Sequence, residues 1–309
     1  MDIFKIVNLN RIKEQYKIET FTLIDFTVGF DDSIYMLFSQ KVPERINGMF
    51  VDTKASTRYI AIVLLFNWNA NTILHQSCYD FGELEFNYHF IRPLGTGFLL
   101  LGARCRYYSK DNVENNALLI SADGNFTKAF CLGDGIEDCI TTTDNRIITS
   151  YFDEGVFGNY GWVNPIGNSG LIVWNDDGNI IWKNEKYDIC DCYAINIDTS
   201  NRLWFYYYTN FELVCTDFNL DFVMNSDLNG CNSFAISERQ KEIIFSGGYN
   251  DKSFYLCDLN IQNGKIGGKH EIQICVGQVP LKMKAYHFRG SKLLFLTESD
   301  VLCGYHFIS

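Results

Sequence analysis

Short apolar stretches separated by polar turn residues recur along the whole chain. The stretches are rich in Ile, Leu, Val, Phe, Tyr and Trp, and Gly, Asn and Asp lie between them. This alternation is typical of β-strands joined by tight turns. A turn or two near residues 10–17 is the one segment that indicates a helix. The pattern therefore predicts an all-β protein.

The strands are grouped in repeating units of four. The clearest unit spans residues 192–226, where four apolar runs are joined by polar turns. Units of the same form precede and follow it, and two contain strong hairpin signals, "ADGN" at residues 122–125 and "DDGN" at residues 176–179. The last unit has three strands, while a spare strand, "DIFKIVNL", stands at the start of the chain. We expect this N-terminal strand to complete the last unit.

Six four-stranded units of this kind predict a β-propeller with six blades, formed by residues 1–309 as a single domain. The N-terminal strand would close the ring by completing the C-terminal blade, which removes two exposed sheet edges. Five or seven blades, or a pair of β-sandwich domains, are the alternatives that the pattern leaves open.

A long segment interrupts the third unit. It is "YFDEGVFGNYGWVNPIGNSG", Tyr151 to Gly170, and it lies between the second and third strands. Propeller geometry places such a connection on the face that usually binds ligands. We predict ligand contacts from its acidic, amide and aromatic side chains, namely Asp153, Glu154, Phe157, Asn159, Tyr160 and Trp162. The alternative is a compact Ω-loop, in which the aromatic residues pack on neighbouring blades and the acids cap local amides.

Small polar residues stand at the entry to several first strands. They are Asn87, Asp138, Asp191 and Asn232. As a partial ring around a channel mouth, they predict a weak site for a divalent cation such as Ca²⁺, which prefers oxygen ligands. They could equally bind the backbone of the adjacent blade. No other cofactor is expected.

Charge and hydropathy argue against two classes of binding partner, nucleic acid and membrane. The net charge is −11 without a clustered basic run, which argues against nucleic acid. The short segment "RCRYYSK", residues 104–110, is interpreted as a solvated strand end. The start of the chain is not a signal peptide, and the longest apolar run, "YIAIVLLF", is too short to cross a bilayer. Eleven cysteines, mostly within apolar strands, behave as small hydrophobes in a reducing compartment. These features predict a soluble, cytoplasmic protein that binds no membrane.

One part of the chain carries a family resemblance. The segment "SYFDEGVFGNYGWVNPIGNSGLIVWNDDGNIIW", followed by "DCYAINID" and "WFYYYTNFELV", resembles uncharacterised bacterial propeller-like proteins. At the level of fold, the chain resembles six-bladed propellers of the NHL, YWTD and lactonase-like kind. It lacks a "YWTD" tetrapeptide and the Gly-His and Trp-Asp marks of WD40 repeats. The resemblance implies a fold and assigns no activity.

The sequence contains no complete catalytic set. It has no nucleophile elbow, no phosphate-binding loop and no Cys–His set with zinc spacing. We therefore predict a non-catalytic propeller that binds a protein partner or a small polar ligand through the face carrying residues 152–169. One alternative is a lactonase-like, metal-dependent hydrolase or lyase, with Asp153 or Glu154 as general base. Another is an immunity or inhibitor protein with an acidic binding face.

Overall fold

The computed structural model describes residues 1–43, 45, 46 and 50–308. Across these residues the chain is mainly strand and turn, with α-helices at Leu9–Tyr16 and Asp153–Phe157 and a 3-10 helix at Ile166–Ser169. The side chain of Asn8 caps the first helix, because its Oδ1 accepts the backbone N–H of Asn10 at 2.9 Å. The helix expected near residues 10–17 is confirmed.

The chain divides into two compact units. The terminal unit contains Met1–Ile12, Asn67–Thr72 and Cys192–Ser309. The central unit contains Lys13–Phe66 and Ile73–Asp191. Most strand pairs in both units are antiparallel, and in the sheets of the central unit the strands follow one another in chain order.

The central unit contains three four-stranded sheets. Sheet A consists of Thr22–Val28, Ile34–Ser39, Thr57–Asn67 and Thr72–Leu84. The tip of one hairpin of sheet A, Asn67–Thr72, belongs to the terminal unit. Sheet B consists of Phe90–Leu94, Gly97–Leu101, Ala117–Ile120 and Phe126–Phe130. Sheet C consists of Ile136–Thr141, Ile147–Tyr151, Leu171–Trp174 and Ile180–Lys183. Both "DGN" hairpins predicted from the sequence join the last two strands of a sheet, in B and in C.

Sheet D of the terminal unit has eight strands in two runs of four. The first run is Asp191–Ile197, Leu203–Tyr208, Glu212–Thr216 and Asp221–Asn225. Its first residue, Asp191, is counted with the central unit, and the remaining residues belong to the terminal unit. The second run is Phe234–Ile236, Glu242–Ser246, Phe254–Asn260 and Lys265–Ile272. The two runs join through a parallel pairing of Asn225 with Lys265.

Sheet E joins the two ends of the chain. Its strands are Met283–Arg289, Lys292–Thr297, Val301–His306 and Phe4–Asn8. The N-terminal strand runs antiparallel to the final strand, with Phe4 opposite Gly304 and Asn8 opposite Val301. The pairing of these two strands is therefore as the sequence predicts.

Three two-stranded ribbons complete the strands of the described residues. They are Arg45–Ile46 with Phe50–Val51, Tyr107–Ser109 with Asn112–Val113, and Cys275–Val276 with Val279–Pro280.

The second strands of sheets A and C are buried on both faces. All six residues of Ile34–Ser39 are buried, and so are all five of Ile147–Tyr151. A strand that is buried on both faces has a continuous run of apolar residues in its sequence, without apolar-polar alternation. In the central unit, Leu101 of sheet B and Ile136 and Ile172 of sheet C belong to one apolar cluster. Burial of this apolar surface is the main stabilising contribution to such a fold.

Candidate binding face of the central unit

The sheets of the central unit have long connections between their second and third strands. These are residues 40–56, 102–116 and 152–170. The described parts of the three connections contact one another, and we call residues 51–56, 102–116 and 152–170 the loop layer. The equivalent connections in the terminal unit are shorter, at residues 209–211, 247–253 and 298–300.

Two aromatic residues hold the loop layer together. The indole N–H of Trp162 donates to the carbonyl of Cys105 at 2.7 Å. The hydroxyl of Tyr160 donates to the carbonyl of Val51 at 2.7 Å and accepts the backbone N–H of the same residue at 3.0 Å. Both rings are buried, and that of Trp162 packs 5.0 Å from the ring of Tyr107. These contacts join segments from all three sheets, as the Ω-loop alternative expects.

The helix Asp153–Phe157 lies directly on the connection between sheets B and C. A Cβ on Gly155 would fall 2.6 Å from the carbonyl oxygens of both Asp134 and Gly135. Real Cβ atoms do not approach backbone so closely, so glycine is required here. The glycine richness of this segment thus reflects close packing of the loop on the sheet ends.

Arg104 forms the polar centre of the loop layer. Its guanidinium pairs with Asp134 at 2.9 Å and with Glu154 at 2.5 Å. Its Cζ lies 4.1 Å from the ring centroid of Tyr160 and 5.2 Å from that of Phe152. A cation over an aromatic face is favourable, more so when it is largely removed from water. Burial raises the pKa of Asp134 to about 6, against the opposing charge of Arg104.

The interpretation of residues 104–110 as a solvated strand end holds for residues 108–110, which are exposed, and is wrong for Arg104. Arg104 lies in the connection between two strands of sheet B, and its side chain is only 13% exposed. Tyr107–Ser109 is a strand of a two-stranded ribbon within that connection. The basic residue was misplaced because its partners, Asp134 and Glu154, are distant in sequence.

Four carboxylates gather beside the loop layer, at the start of sheet C and at the end of the central unit. We call Glu137, Asp138, Asp153 and Asp191 the acidic cluster. Three of its members were predicted as site residues, and the structure brings these three together, since their charges act on a common neighbour, Glu137. Glu137 itself was missed. A β-bulge explains its placement, because Ile136 pairs with Tyr151 and Asp138 with Ser150, leaving Glu137 as the extra residue.

Two carboxyls of the acidic cluster have raised pKa values. Glu137 is exposed, yet partial loss of hydration, then the charges of Asp191, Asp138 and Asp153, raise its pKa to about 8. Burial, then the charge of Asp153, raise the pKa of Asp191 to about 7. One carboxylate oxygen of Asp191 is buried without a hydrogen-bond partner among the described residues. Groups with such shifted pKa values concentrate at functional sites.

Arg92 links the first strands of all three central sheets. Its side chain is 2% exposed and pairs with Asp25 of sheet A at 2.5 Å and with Asp138 of sheet C at 3.1 Å. Its Nε donates to the carbonyl of Cys139 at 2.5 Å. Burial alone would lower the pKa of Arg92, but the two carboxylates together outweigh it and raise the pKa. This buried network fixes Asp138 within the acidic cluster.

The other residues predicted as metal ligands are bonded within their own units. Asn87 is buried, its side chain donating to the carbonyl of Asp52 at 3.4 Å and its backbone N–H to that of Thr53 at 2.9 Å. Asn232 belongs to the terminal unit, where its Oδ1 accepts the hydroxyls of Ser246 and Tyr286 at 2.9 and 2.8 Å. Across residues 1–43, 45, 46 and 50–308, no group of three or more His, Cys, Asp or Glu side chains is placed to hold a metal ion.

Residues 152–170 present apolar and acidic side chains on the outer surface of the loop layer. Phe157 is 66% exposed and Val163 is 87% exposed, in contrast to the buried Tyr160 and Trp162 of the same segment. Asp153 is also exposed and stands four residues before Phe157, on the same side of the short helix. Asn159 is half-buried and accepts the backbone N–H of Tyr160 at 2.7 Å. The side chains of the loop layer that a partner can contact therefore include Asp153, Phe157 and Val163, together with Tyr108 and Lys110 of the second connection.

Comparison with solved structures shows the fold. A chain in the crystal structure of the mitotic checkpoint complex is similar at a TM-score of 0.51, with 8% identity, covering 92% of this chain and 89% of that one. Hsv2 from Kluyvelomyces marxianus is similar at a TM-score of 0.50, with 10% identity, covering 93% of this chain and 77% of that one. A gluconolactonase from Xanthomonas campestris is matched at 0.48, with 10% identity, covering 99% and 95% of the two chains.

No protein-family model matches the chain, and no curated protein matches its sequence. Within the part of the chain that the structure describes, there is no helix with the length and apolar character needed to span a bilayer. The similar structures are β-propellers, and at identities this low the likeness concerns the fold and not the activity. The chain is an all-β protein with a β-propeller arrangement of its sheets.

Proposed function

We propose that this chain is a non-catalytic, single-domain propeller of six blades that binds a partner protein through the loop layer of its central unit. The blade count is supported by the strands, since sheets A, B, C and E have four each and sheet D has two runs of four. The pairing of Phe4–Asn8 with the final strand supports closure of the ring by the chain ends.

One observation carries the binding proposal: exposed apolar side chains stand on a segment whose backbone is fixed from beneath. Phe157 and Val163 face solvent, while Tyr160 and Trp162 anchor the same segment to its neighbours. Apolar side chains held in place lose little conformational freedom on binding, which favours affinity. Long ordered connections in compact domains often have a binding role.

The partner's chemistry follows from the acidic cluster. Asp153 is common to the exposed helix face and to the cluster, so an apolar contact at Phe157 lies beside several carboxylates. A protein segment with a Lys or Arg next to an apolar side chain would fit both features, because the cation relieves the mutual repulsion of the acids. The same charge disfavours nucleic acid as the partner.

Binding without metal chemistry is preferred on geometric grounds. Asp138, proposed as a metal ligand, is already paired with Arg92 at 3.1 Å. Exposed Phe157 and Val163 offer apolar contact area, which a protein surface can cover and a small polar ligand cannot.

A peptide-display selection on the purified chain tests the proposal. We expect enrichment of peptides with Lys or Arg adjacent to an apolar residue, and loss of their binding in Phe157→Ser and Val163→Ser. Phe126→Ser is the matched control, since Phe126 is 55% exposed on the outer strand of sheet B, away from the loop layer. Equal losses in the control and the loop variants, or no enrichment on the wild type, would refute the assignment.

A further inference from the structure

Two thiols meet beneath the loop layer. Cys105 lies in the connection between the second and third strands of sheet B, and Cys131 lies just after the last strand of that sheet. Their Sγ atoms are 3.5 Å apart. Cys105 is fully buried, whereas Cys131 is half-buried and so retains some access to solvent. The two residues therefore combine a reachable thiol with a protected neighbour at contact distance.

The environment makes the two thiols unequal. The Cys105 thiol lies 3.1 Å from the carbonyl oxygen of Glu114, which accepts its proton, whereas the Cys131 Sγ accepts the backbone N–H of Gly133 at 3.4 Å. The contact with Cys105, then the hydrogen bond from Gly133, lower the pKa of Cys131 against the effect of burial. The contact with Cys131, then burial, raise the pKa of Cys105. Because Cys131 also accepts the Gly133 N–H and is the more accessible of the two thiols, we assign it the nucleophilic role.

We propose that Cys105 and Cys131 are a redox modification site, at which a hydroperoxide converts the two thiols into a reversible disulfide. The Cys131 thiolate attacks one peroxide oxygen, the O–O bond breaks, and Cys131 becomes a sulfenic acid while water or an alcohol leaves. The Cys105 sulfur then attacks the sulfenic sulfur, and its proton leaves with the hydroxyl as a second water. Two thiols are oxidised and one peroxide is reduced. A dithiol reductant restores the pair by exchange.

The disulfide would act on the loop layer. Formation requires the sulfurs to close from 3.5 Å to about 2.05 Å, which small side-chain rotations can supply. The new bond would join residues 102–116 to the connection that carries Asp134, the carboxylate paired with Arg104. It adds a covalent link where hydrogen bonds and an ion pair now hold the layer, so the oxidised protein should unfold at a higher temperature. This inference is independent of the proposed binding function.

Hydrogen peroxide and peptide mapping test it on the full chain. The reduced protein is treated with peroxide, free thiols are alkylated in denaturant, and the digest is analysed without reduction. We expect a peptide linking Cys105 to Cys131 that disappears after dithiothreitol, and a raised Tm of the oxidised protein. Cys78, which is exposed, reports oxidation that is not pair-specific.

Two outcomes would overturn the proposal. One is that Cys105 and Cys131 stay fully alkylatable at peroxide concentrations up to those that oxidise Cys78, or at the highest concentration used if Cys78 also stays reduced. The other is oxidation of Cys131 beyond the sulfenic state without a cross-link. Cys105→Ala is expected to retain a trappable sulfenic acid at Cys131, whereas the control Cys139→Ala is expected to keep the link. If either variant fails to fold, the wild-type map alone still decides.

Discussion

Gly155 approaches the backbone of Asp134 so closely that a Cβ on the glycine would lie 2.6 Å from the Asp134 carbonyl oxygen. The contact seats the helix that carries Asp153 and Phe157. We expect Gly155→Ala to destabilise the chain by about 1–3 kcal/mol, as overpacking against rigid backbone does. Urea unfolding measures this loss. Gly267→Ala serves as control, because a Cβ there meets no atom within 4 Å, and an equal loss in both variants would contradict the packing argument.

Arg92→Met should be among the most disruptive single substitutions in the central unit. It leaves Asp25 and Asp138 without their buried cation, and breaking a buried ion pair from one side costs about 3–5 kcal/mol. Calorimetry at neutral pH would show this as a large fall in Tm. Arg58→Met removes a cation from an exposed pair with Asp80 and should change Tm little. If Arg92→Met leaves Tm nearly unchanged, the buried ion pairs of Arg92 make no net contribution to stability.

Trp162→Phe removes one hydrogen bond of the loop layer together with part of a buried ring. The buried carbonyl of Cys105 loses its donor and a small cavity forms, so we expect a loss of about 2–4 kcal/mol in the free energy of unfolding. Phe157→Ser, on the exposed side of the same segment, should leave stability nearly unchanged. Chemical denaturation of the two variants in parallel shows which residue anchors the loop layer. A larger loss of stability in Phe157→Ser than in Trp162→Phe would contradict the assignment of Trp162 as the anchor.

Stability should fall as the pH rises through neutrality. Glu137 has a pKa of about 8 in the folded chain against an ordinary value of 4.5, and Asp191 about 7 against 3.8. Between these values the folded state holds protons that the unfolded state has lost, so raising the pH favours unfolding. We expect Tm to rise on going from pH 8.5 to pH 6, and Glu137→Gln to reduce that slope.

Glu185→Gln provides the control for the pH experiment. It removes one carboxylate whose side chain is 76% exposed, and the pH slope should persist. A slope that is unchanged in Glu137→Gln would show that the acidic cluster does not titrate in this range.

Local pattern predicted the sheets well. Strands with continuous apolar runs and "DGN" turns, such as Leu171–Trp174 before Asp176, depend on nearby residues and can be recognised in the sequence. The position of residues 152–170 between the second and third strands of sheet C follows from grouping the apolar runs into units of four strands. The pairing of the chain ends was predictable because one unit lacked a strand and another had a spare one.

The chemistry of the site was less predictable, because it depends on contacts between distant residues. Arg92 lies within an apolar strand and gave no signal of its two carboxylate partners. Arg104 was misplaced for the same reason. Glu137 occupies a β-bulge, and strict alternation would have assigned it and Asp138 to opposite faces. Whether an aromatic residue anchors or faces solvent, as for Trp162 and Phe157, depends on a neighbouring loop.

The pairing of Phe4 with Gly304 also has a consequence during translation. The strand Phe4–Asn8 is synthesised almost three hundred residues before its partner Val301–His306. Until then, one strand of sheet E exposes unpaired backbone groups that another nascent chain could bind. Completion of this sheet therefore requires that residues 301–306 have been synthesised, and chaperones that shield the unpaired strand until then would limit such binding.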